Sequence, residues 1–331
     1  MRERKTDHLL ICLKQDVEVG STGFEKYRFV HQSLPEIDFK EVDTSVEFLS
    51  KKLSAPILIS SMTGGTARAG RINRNLAKAA QKMGVAMGVG SQRIALENPR
   101  VVSTFQVRDV APDIPLLANL GAVQLNYGYG FKECQQAVDM IKADALIFHL
   151  NPLQEAIQPE GNTDFANLLP KIEKVAKKLS VPVAVKEVGG GISEGVARRL
   201  YQAGVKIVDT AGWGGTSWAK IEGIRAKNEL GEAFSQWGIP TAESINQCRK
   251  VRGLKVIGSG GIRSGIEMAK AIALGADLTG LALPFLEPAT KSARAVEKKI
   301  AQLTEELKIA MFSLGARNLK ELKRAKLVKV D

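Results

Sequence analysis

The chain has 331 residues and a net charge of +12 at pH 7, with 44% hydrophobic, 25% charged and 5% aromatic residues. This length permits two ordinary domains or one large barrel, and the three cysteines (Cys12, Cys134 and Cys248) form no zinc or disulfide pattern. The sequence has no signal peptide and no apolar run of about 18 residues, which predicts a soluble cytoplasmic protein with no membrane partner.

In chain order, a polar lead-in over residues 1–50 precedes eight short apolar runs that are typical of buried strands. These runs span 55–60, 85–89, 115–119, 145–149, 182–186, 205–209, 254–258 and 278–282. The stretches between them carry apolar residues at helical spacing, at 72–83, 131–142, 164–179, 194–203 and 265–274. Alternating strands and helices imply parallel pairing, and eight such units predict a single (β/α)₈ TIM barrel rather than an open sheet.

The longest insertion follows the sixth predicted strand and spans residues 210–253. It contains all three tryptophans of the chain, Trp213, Trp218 and Trp237. Long loops that carry large aromatic residues on this side of a barrel often act as lids, so we predict a lid here.

The basic excess is concentrated at the C-terminus, where residues 291–331 hold eleven basic and five acidic residues. Apolar residues recur in this segment at helical spacing: Ile300, Leu303, Leu307, Met311 and Leu314. Its one aromatic residue, Phe312, does not make the aromatic-laced basic patch that a nucleic-acid interface needs. We interpret the segment as a helix with a solvated basic face and predict no nucleic-acid partner.

Barrel active sites are built from the loops that follow the strands, and unusual polar and glycine residues gather at these positions. They occupy 60–65, 88–93, 119–121, 149–155, 186–191 and 210–216. The loop at 257–265 is rich in glycine and opens a helix, so its N–H groups predict a phosphate site, with 281–284 as the opposite wall. A tight turn without a ligand is the alternative interpretation of this loop.

Four polar side chains, His149, Asn151, Gln154 and Glu155, crowd the loop after the fourth strand. Glu155 is a candidate Mg²⁺ ligand, because Mg²⁺ is commonly held by one carboxylate and by substrate phosphates; an exposed helix-cap carboxylate is the alternative. Lys186 ends an apolar strand, so its ammonium needs an anionic partner. A Schiff-base lysine and a lysine that faces an anionic cofactor edge are both compatible with this position.

Two absences exclude other barrel chemistries. No histidine follows residue 149, whereas barrel flavoenzymes that oxidise 2-hydroxy acids use a late histidine base. The loop at 212–218 contains no cysteine, which the nucleotide dehydrogenases of the inosinate type need as a nucleophile after the sixth strand.

Several motifs together resemble the type 2, flavin-dependent isopentenyl-diphosphate isomerases over nearly the whole chain. They are Arg4-Lys5-x-x-His8, Met62-Thr-Gly-Gly65, Ser91-Gln-Arg93, His149-Leu-Asn-Pro-Leu-Gln-Glu155, Gln158-Pro-Glu-Gly161, Lys186-Glu-Val-Gly189, Gly214-Gly-Thr216 and Gly258-Ser-Gly-Gly-Ile-Arg-Ser-Gly265. The stretch 149–161 is the specific one, since the glycine loop alone fits many phosphate-binding barrels. The resemblance implies one FMN-binding TIM-barrel domain over residues 1–331 that interconverts isopentenyl and dimethylallyl diphosphate in isoprenoid biosynthesis.

The resemblance also implies a role for each motif residue. Gln154, His149 and Lys186 would be catalytic, and Glu155 would hold Mg²⁺ on the diphosphate. The substrate would be bound by Arg4, Lys5, His8, Ser91, Arg93, Asn151 and Gln154. FMN would be bound by Met62, Thr63, Gly64, Ser91, Asn119, Lys186, Thr216, Gly260, Gly261, Ala282 and Leu283. NADPH would reduce the flavin, and the protein would form a homo-oligomer, either a tetramer or an octamer.

The N-terminus supports two expectations. Arg4, Lys5 and His8 lie within eight residues of Met1, where chains are usually frayed, so composition alone predicts a disordered end. A basic segment that folds over a bound diphosphate would instead complete its charge and exclude water, as a closing lid does.

Two rival classes of function remain open from the sequence. An FMN-dependent oxidoreductase on the same barrel would consume reductant in proportion to product, which an isomerase would not. A flavin-free aldolase with a Schiff base at Lys186 would lack the yellow chromophore that a flavoprotein carries through purification.

Overall fold

The computed structural model describes residues 2–330 and contains a closed barrel of eight parallel strands. The strands of the whole structure are β1 (Tyr27–Phe29), β2 (Val46–Phe48), β3 (Lys51–Leu53), β4 (Ile57–Ile59), β5 (Ala86–Gly88), β6 (Leu116–Gly121), β7 (Ala145–His149), β8 (Val183–Lys186), β9 (Ile207–Asp209), β10 (Lys255–Ser259), β11 (Leu278–Leu281) and β12 (Leu327–Lys329). Strands β4 to β11 form the barrel, which closes where β11 pairs with β4. Each of these eight strands begins and ends within two residues of a predicted strand. The strands and the predicted TIM barrel are therefore confirmed.

Helices surround the barrel. They are α1 (Arg2–Lys14), α2 (Ala67–Met83), α3 (Arg93–Glu97), α4 (Phe131–Ile141), α5 (Pro152–Ile157), α6 (Leu168–Lys178), α7 (Glu194–Gln202), α8 (Trp218–Ala226), α9 (Leu230–Ala233), α10 (Thr241–Cys248), α11 (Gly265–Leu274), α12 (Leu283–Lys291), α13 (Ala293–Phe312) and α14 (Leu319–Leu322). Helix α2 begins five residues before its predicted start, because Thr66 caps it by accepting a hydrogen bond from the N–H of Ala69 (3.1 Å). Its first turn, residues 67–70, contains only alanine, arginine and glycine, so the spacing of large apolar residues does not reveal it.

The interior of the barrel is filled by short layers of apolar side chains. Leu58, Leu117 and Ile257 point inward and form one cluster with Phe48 and Leu53 of the antiparallel β2–β3 hairpin. The hairpin therefore closes the amino end of the barrel. The carboxyl end remains open for a binding site, as the barrel rule predicts.

The predicted polar lead-in is more structured than expected. Helix α1 packs against α8 and α12 at the open end of the barrel. Further along, β1 pairs antiparallel with β12, so that residues 27–29 lie beside residues 327–329. The two ends of the chain are thus joined across the outside of the barrel. Three-residue strands so far apart carry no pattern that predicts their pairing.

Helix α13 confirms that the basic C-terminal segment contains a helix. Its predicted apolar positions Ile300, Leu303, Leu307 and Met311 are fully buried and pack the helix against α2 and α11. The fifth predicted position, Leu314, lies just beyond the end of the helix and is half-buried against the core. Lysines such as Lys298 lie on the exposed side. Among residues 2–330, no helix is both long enough and apolar enough to cross a bilayer.

Candidate active site

A large cavity opens at the carboxyl ends of the barrel strands, with an empty volume of about 1710 Å³ including its mouth. The predicted site residues that line it are Arg4, Lys5, His8, Met62, Thr63, Ser91, Arg93, Asn119, His149, Asn151, Gln154, Glu155, Lys186, Thr216, Gly260, Gly261, Ala282 and Leu283. Gly64 is the predicted residue that the structure does not bring to this wall. Its Cα packs against the ring of Phe105, where an added Cβ would lie 2.0 Å from a ring carbon.

One wall of the cavity is made of backbone. Gly260 and Gly261 have φ angles of +107° and +71°, and a Cβ on them would lie 2.2 Å and 2.0 Å from the carbonyl oxygens of Gly212 and Gly214. Their N–H groups make no backbone hydrogen bond within residues 2–330, and α12 starts at Leu283 without a side-chain cap. Free N–H groups at a helix start attract a phosphate, so this wall fits the predicted ribityl phosphate better than a turn without a ligand.

Lys186 reaches the cavity from the end of β8 and is only 8% exposed. Its ammonium donates a hydrogen bond to the carbonyl of Glu187, and the residue pairs in register with Asp209 of β9. Burial raises the pKa of the Asp209 carboxyl, although Lys186 and a hydrogen bond from Ser259 act in the opposite direction. The ammonium of Lys186 therefore lines the cavity, with the buried carboxyl of Asp209 on the neighbouring strand. A positive charge in this place fits a cofactor with an anionic edge.

His149 ends β7, the strand next to β8, where it is paired in register with Lys186. Its Nδ1 lies 2.9 Å from Asn119 Oδ1, and because that oxygen only accepts, Nδ1 is the donor. Burial, together with the positive charges of Lys186 and Lys5, lowers the pKa of His149 to about 3. The imidazole is therefore neutral at physiological pH and keeps Nε2 as an acceptor.

Glu155 is buried in the first turn of α5, which excludes the exposed helix-cap interpretation. Its Oε1 accepts a hydrogen bond from Asn151 Nδ2 (2.9 Å), and its Oε2 accepts one from the N–H of Asn162 (2.7 Å). Asn151 Oδ1 is buried and has no partner within residues 2–330. A carboxylate beside an unsatisfied amide oxygen fits a hard cation. The described residues contain no cluster of three or more His, Cys, Asp or Glu side chains, so substrate and water oxygens would complete the coordination.

Arg93 lies at the rim beyond Glu155. Its Nε donates to Glu97 Oε1 (2.8 Å), and one of its terminal nitrogens donates to Asn162 Oδ1 (2.7 Å). Asn162 therefore contacts both Arg93 and Glu155. It lies just beyond the stretch 149–161 and was not among the predicted residues.

Glu222 is the main site residue that sequence reasoning missed. It lies on α8 and is fully buried, with Oε1 3.0 Å from the Gln154 Nε2 donor and 2.9 Å from His8 Nε2. Its Oε2 accepts a hydrogen bond from Arg225 Nε (2.7 Å). Burial alone would raise the pKa of Glu222, but the contacts with His8, Gln154 and Arg225 outweigh it and lower the pKa to about 2.

The amide of Gln154 is held at both ends. Its Nε2 donates to Glu222, and its Oε1 accepts from Asn151 Nδ2 (3.1 Å). Gln154 therefore connects the buried anion Glu222 with the group around Glu155. The sequence holds a weak signal for this network, because Trp218 and Glu222 are four residues apart and so place a carboxylate on the apolar face of a helix.

Helix α1 brings Arg4, Lys5 and His8 onto the cavity, so these residues do not form a frayed end. Lys5 donates a hydrogen bond to the carbonyl of Ser91 (2.9 Å) and lies 5.1 Å from the centre of the Phe105 ring. Burial, together with the positive charge of Arg4, lowers the pKa of Lys5 to about 7. A basic helix thus covers one side of the cavity mouth.

Solved flavoenzyme structures share this fold at low sequence identity. A flavocytochrome b2 double mutant with pyruvate bound superposes with a TM-score of 0.72 at 17% identity, covering 97% of this chain and 82% of that one. A mandelate oxidase mutant with a monooxide FMN adduct superposes with a TM-score of 0.68 at 18% identity, covering 98% and 93%. At such identity the likeness shows the fold alone.

Sequence comparisons are more specific. The family model of FMN-dependent dehydrogenases matches residues 15–101 and 148–329. The isopentenyl-diphosphate delta-isomerase of Nostoc sp. (strain PCC 7120) is 53% identical over 331 residues, covering 98% of this chain and 95% of the relative. That of Rickettsia felis is 54% identical, covering 98% and 96%. The chain therefore belongs to the FMN-dependent dehydrogenase family, and its nearly full-length relatives place it among the isopentenyl-diphosphate delta-isomerases.

Proposed function

We propose that the protein interconverts isopentenyl diphosphate and dimethylallyl diphosphate by adding a proton at one carbon and removing one at another. The observation that carries the proposal is the chain of contacts His8–Glu222–Gln154, which reaches the cavity that Lys186 also lines. It supplies proton-handling groups to a chain that lacks the late histidine base which barrel oxidases of 2-hydroxy acids use. The chain has no histidine after residue 149.

The cofactor in this proposal is FMN, bound with its phosphate against the N–H groups of Gly260, Gly261 and Leu283. When bound and reduced, FMN supplies an electron-rich face that stabilises positive charge developing on the alkene. Lys186 would face the N1 and C2 carbonyl edge and favour its negative charge. The low pKa of His149 supports a neutral wall residue rather than a second cation in this part of the cavity.

The proton is handled by the chain's own side chains in this proposal. Glu222 is ionised and fully buried, so it is an acceptor that water does not reach. Gln154 is neutral and held at both ends, which suits positioning and proton relay beside the reacting carbons. A group fixed in this way needs little reorganisation during the reaction.

The diphosphate would lie between Arg93, Glu155 and helix α1. Glu155 would hold Mg²⁺ on the diphosphate, and Arg4 and Lys5 would contribute positive charge from above. Forked arginine contacts and a compact ammonium both suit phosphate oxygens. Closing the mouth with α1 would keep water from the alkene.

The decisive experiment incubates the flavin-reduced protein with isopentenyl diphosphate in D₂O. We expect dimethylallyl diphosphate with deuterium in the new methyl group, and no reductant consumed beyond the initial reduction. Consumption of reductant in proportion to product would instead identify an FMN-dependent oxidoreductase. A preparation without bound flavin that is still active would contradict both.

We expect the Michaelis constant for isopentenyl diphosphate to rise with pH above about 7, because the pKa of Lys5 is lowered to about 7. The ammonium contacts the diphosphate, and deprotonation removes that charge-assisted contact. Affinity is therefore complete below this pKa and falls by up to about tenfold per pH unit above it. The measurement is the Michaelis constant from pH 6 to 9 for wild type and for Lys5→Met. The substrate titrates in the same way with both proteins, so a difference between the two profiles comes from Lys5. Parallel profiles for the two proteins would show that Lys5 is not the titrating group.

We expect Glu155→Gln to raise the Mg²⁺ concentration for half-maximal activity by roughly tenfold or more, because an amide is a much weaker ligand than a carboxylate. Turnover at saturating Mg²⁺ should change far less. The matched control is Glu160→Gln, which removes a half-exposed carboxylate at the rim. Superimposable Mg²⁺ titrations of wild type and Glu155→Gln would remove Glu155 from the metal site.

We also propose, on the resemblance described above, that NADPH reduces the flavin and that the chain acts as one FMN-binding unit in the cytoplasm. The same resemblance supports a homo-oligomer, a tetramer or an octamer. Light scattering of the flavin-loaded protein measures the oligomeric state. Anaerobic titration with NADPH, followed at the flavin absorbance band, tests the reductant.

A further inference from the structure

A second cavity, here called the side cavity, lies behind the active-site wall and has an empty volume of about 940 Å³ including its opening. It is bordered by the loops after β7, β8 and β9. Four residues line both cavities: Gln154, Val188, Gly189 and Trp218. The side cavity is therefore next to the part of the site where Gln154 lies.

The lining of the side cavity is apolar and aromatic. It includes Trp213, Phe234, Trp237 and Ile239. No lysine, arginine or histidine lines it within residues 2–330, and its one charged residue, Glu187, turns its carboxylate onto the N–H groups of residues 188 to 190. Such a lining accepts a hydrocarbon group and offers no site for a phosphate.

The position of Gln154 indicates which end of the substrate lies next to the side cavity. In the proposed function the diphosphate lies at Glu155 and Arg93, and Gln154 faces the reacting alkene carbons. Longer allylic diphosphates carry additional five-carbon units on the terminal carbon that is protonated in the isomerase reaction. With the diphosphate in the same place, the first added unit would begin beside Gln154, where the side cavity starts.

We propose that the side cavity binds the apolar chain of allylic diphosphates longer than five carbons, while their diphosphate occupies the substrate site. This inference rests on the proposed function, since it uses the same head-group site. Such compounds compete with the substrate and are not isomerised, because their chain occupies the position of the terminal carbon. The isomerase is then slowed by compounds formed when its own product is condensed with further five-carbon units.

The first measurement compares inhibition of the flavin-reduced holoenzyme by dimethylallyl and geranyl diphosphate. We expect both compounds to compete with isopentenyl diphosphate. The inhibition constant of geranyl diphosphate should be at least tenfold lower than that of dimethylallyl diphosphate, since each buried methylene favours binding by roughly a factor of four. Equal inhibition constants, or inhibition that does not compete with substrate, would overturn the proposal.

A filling variant tests the location. Val196 on α7 lines the side cavity but not the active site and is 37% exposed, so Val196→Trp narrows the cavity at a tolerant position. Ile266→Trp on α11, at a residue that is 54% exposed and lines neither cavity, is the matched control. Val196→Trp should abolish the tenfold preference for geranyl diphosphate and leave kcat/KM for isopentenyl diphosphate within about twofold. If Val196→Trp leaves the preference for geranyl diphosphate unchanged, the proposal is contradicted. A change of oligomeric state in Val196→Trp would also contradict it, because the side cavity would then be an interface between copies of the chain.

A direct binding measurement separates this proposal from the proposed function. All three tryptophans of the chain line the side cavity, so geranyl diphosphate should change the intrinsic fluorescence of the holoenzyme, and geraniol at equal concentration should not. A protein that shows this change but does not isomerise isopentenyl diphosphate would refute the reaction and keep the binding site. An active protein without the change would refute the side cavity alone.

Discussion

Glu222→Gln is expected to lower kcat by about 10³-fold, within the range for a group that acts in proton transfer. The substitution keeps the size of the side chain but removes the buried negative charge that contacts His8, Gln154 and Arg225. The amide cannot accept a proton and also donates where the carboxylate only accepted, so the orientation of Gln154 is lost as well. The measurement is turnover with the flavin fully reduced, together with flavin content.

The stability of this variant should fall less than usual for a broken buried ion pair, which costs about 3–5 kcal/mol. Arg225 keeps a second partner, since it also donates to Glu160 Oε2 (2.8 Å). Glu160→Gln, which removes that half-exposed partner, should retain kcat within about threefold. Wild-type turnover in Glu222→Gln would remove the carboxylate from the reaction.

Arg225 offers a further control within the same network. If it acts only by holding Glu222, Arg225→Gln should lower kcat in the wild type and have little effect in the Glu222→Gln background. Contacting residues that act together show such non-additivity. Additive effects of the two substitutions would mean that Arg225 acts independently of Glu222.

Lys186→Ala is expected to lower activity by about 10- to 150-fold through the flavin. Removing an ammonium that is only 8% exposed leaves Asp209 without its nearest positive charge and leaves the reduced cofactor without an electrostatic partner. A charge-assisted interaction is worth about 1.5–3 kcal/mol, which corresponds to a two-electron potential about 30–60 mV more negative. The measurement is an anaerobic redox titration of the bound flavin.

Lys186→Arg retains the charge and should keep the potential close to that of wild type, even if its larger side chain lowers turnover. The two variants thus separate charge from shape. A borohydride-stable adduct between Lys186 and a carbonyl substrate would contradict this role and identify a Schiff-base lysine. If the potential of the bound flavin is unchanged in Lys186→Ala, the ammonium of Lys186 does not stabilise the reduced cofactor.

The barrel itself could be predicted from the sequence because its signals are local. Parallel strands covered on both faces are continuous apolar runs, and all eight appear in the sequence within two residues of their observed ends. The apolar spacing of α13 is equally local. The loop positions of Lys186, His149, Gln154 and Glu155 follow from the strands, since every strand of a parallel barrel ends at the same rim.

What the tertiary structure decided is the environment of particular side chains. In the sequence Glu222 is an ordinary helical carboxylate. In the fold, α1 brings His8 and α5 brings Gln154 against α8, where Arg225 of the same helix also contacts the buried carboxylate. Gly64 belongs to a recognisable motif, yet the packing of Phe105 keeps it off the cavity wall. Hydrophobic periodicity depends on neighbours along the chain and is therefore readable in the sequence. Burial, charge and pKa depend on neighbours from distant segments, and only the folded chain brings these together.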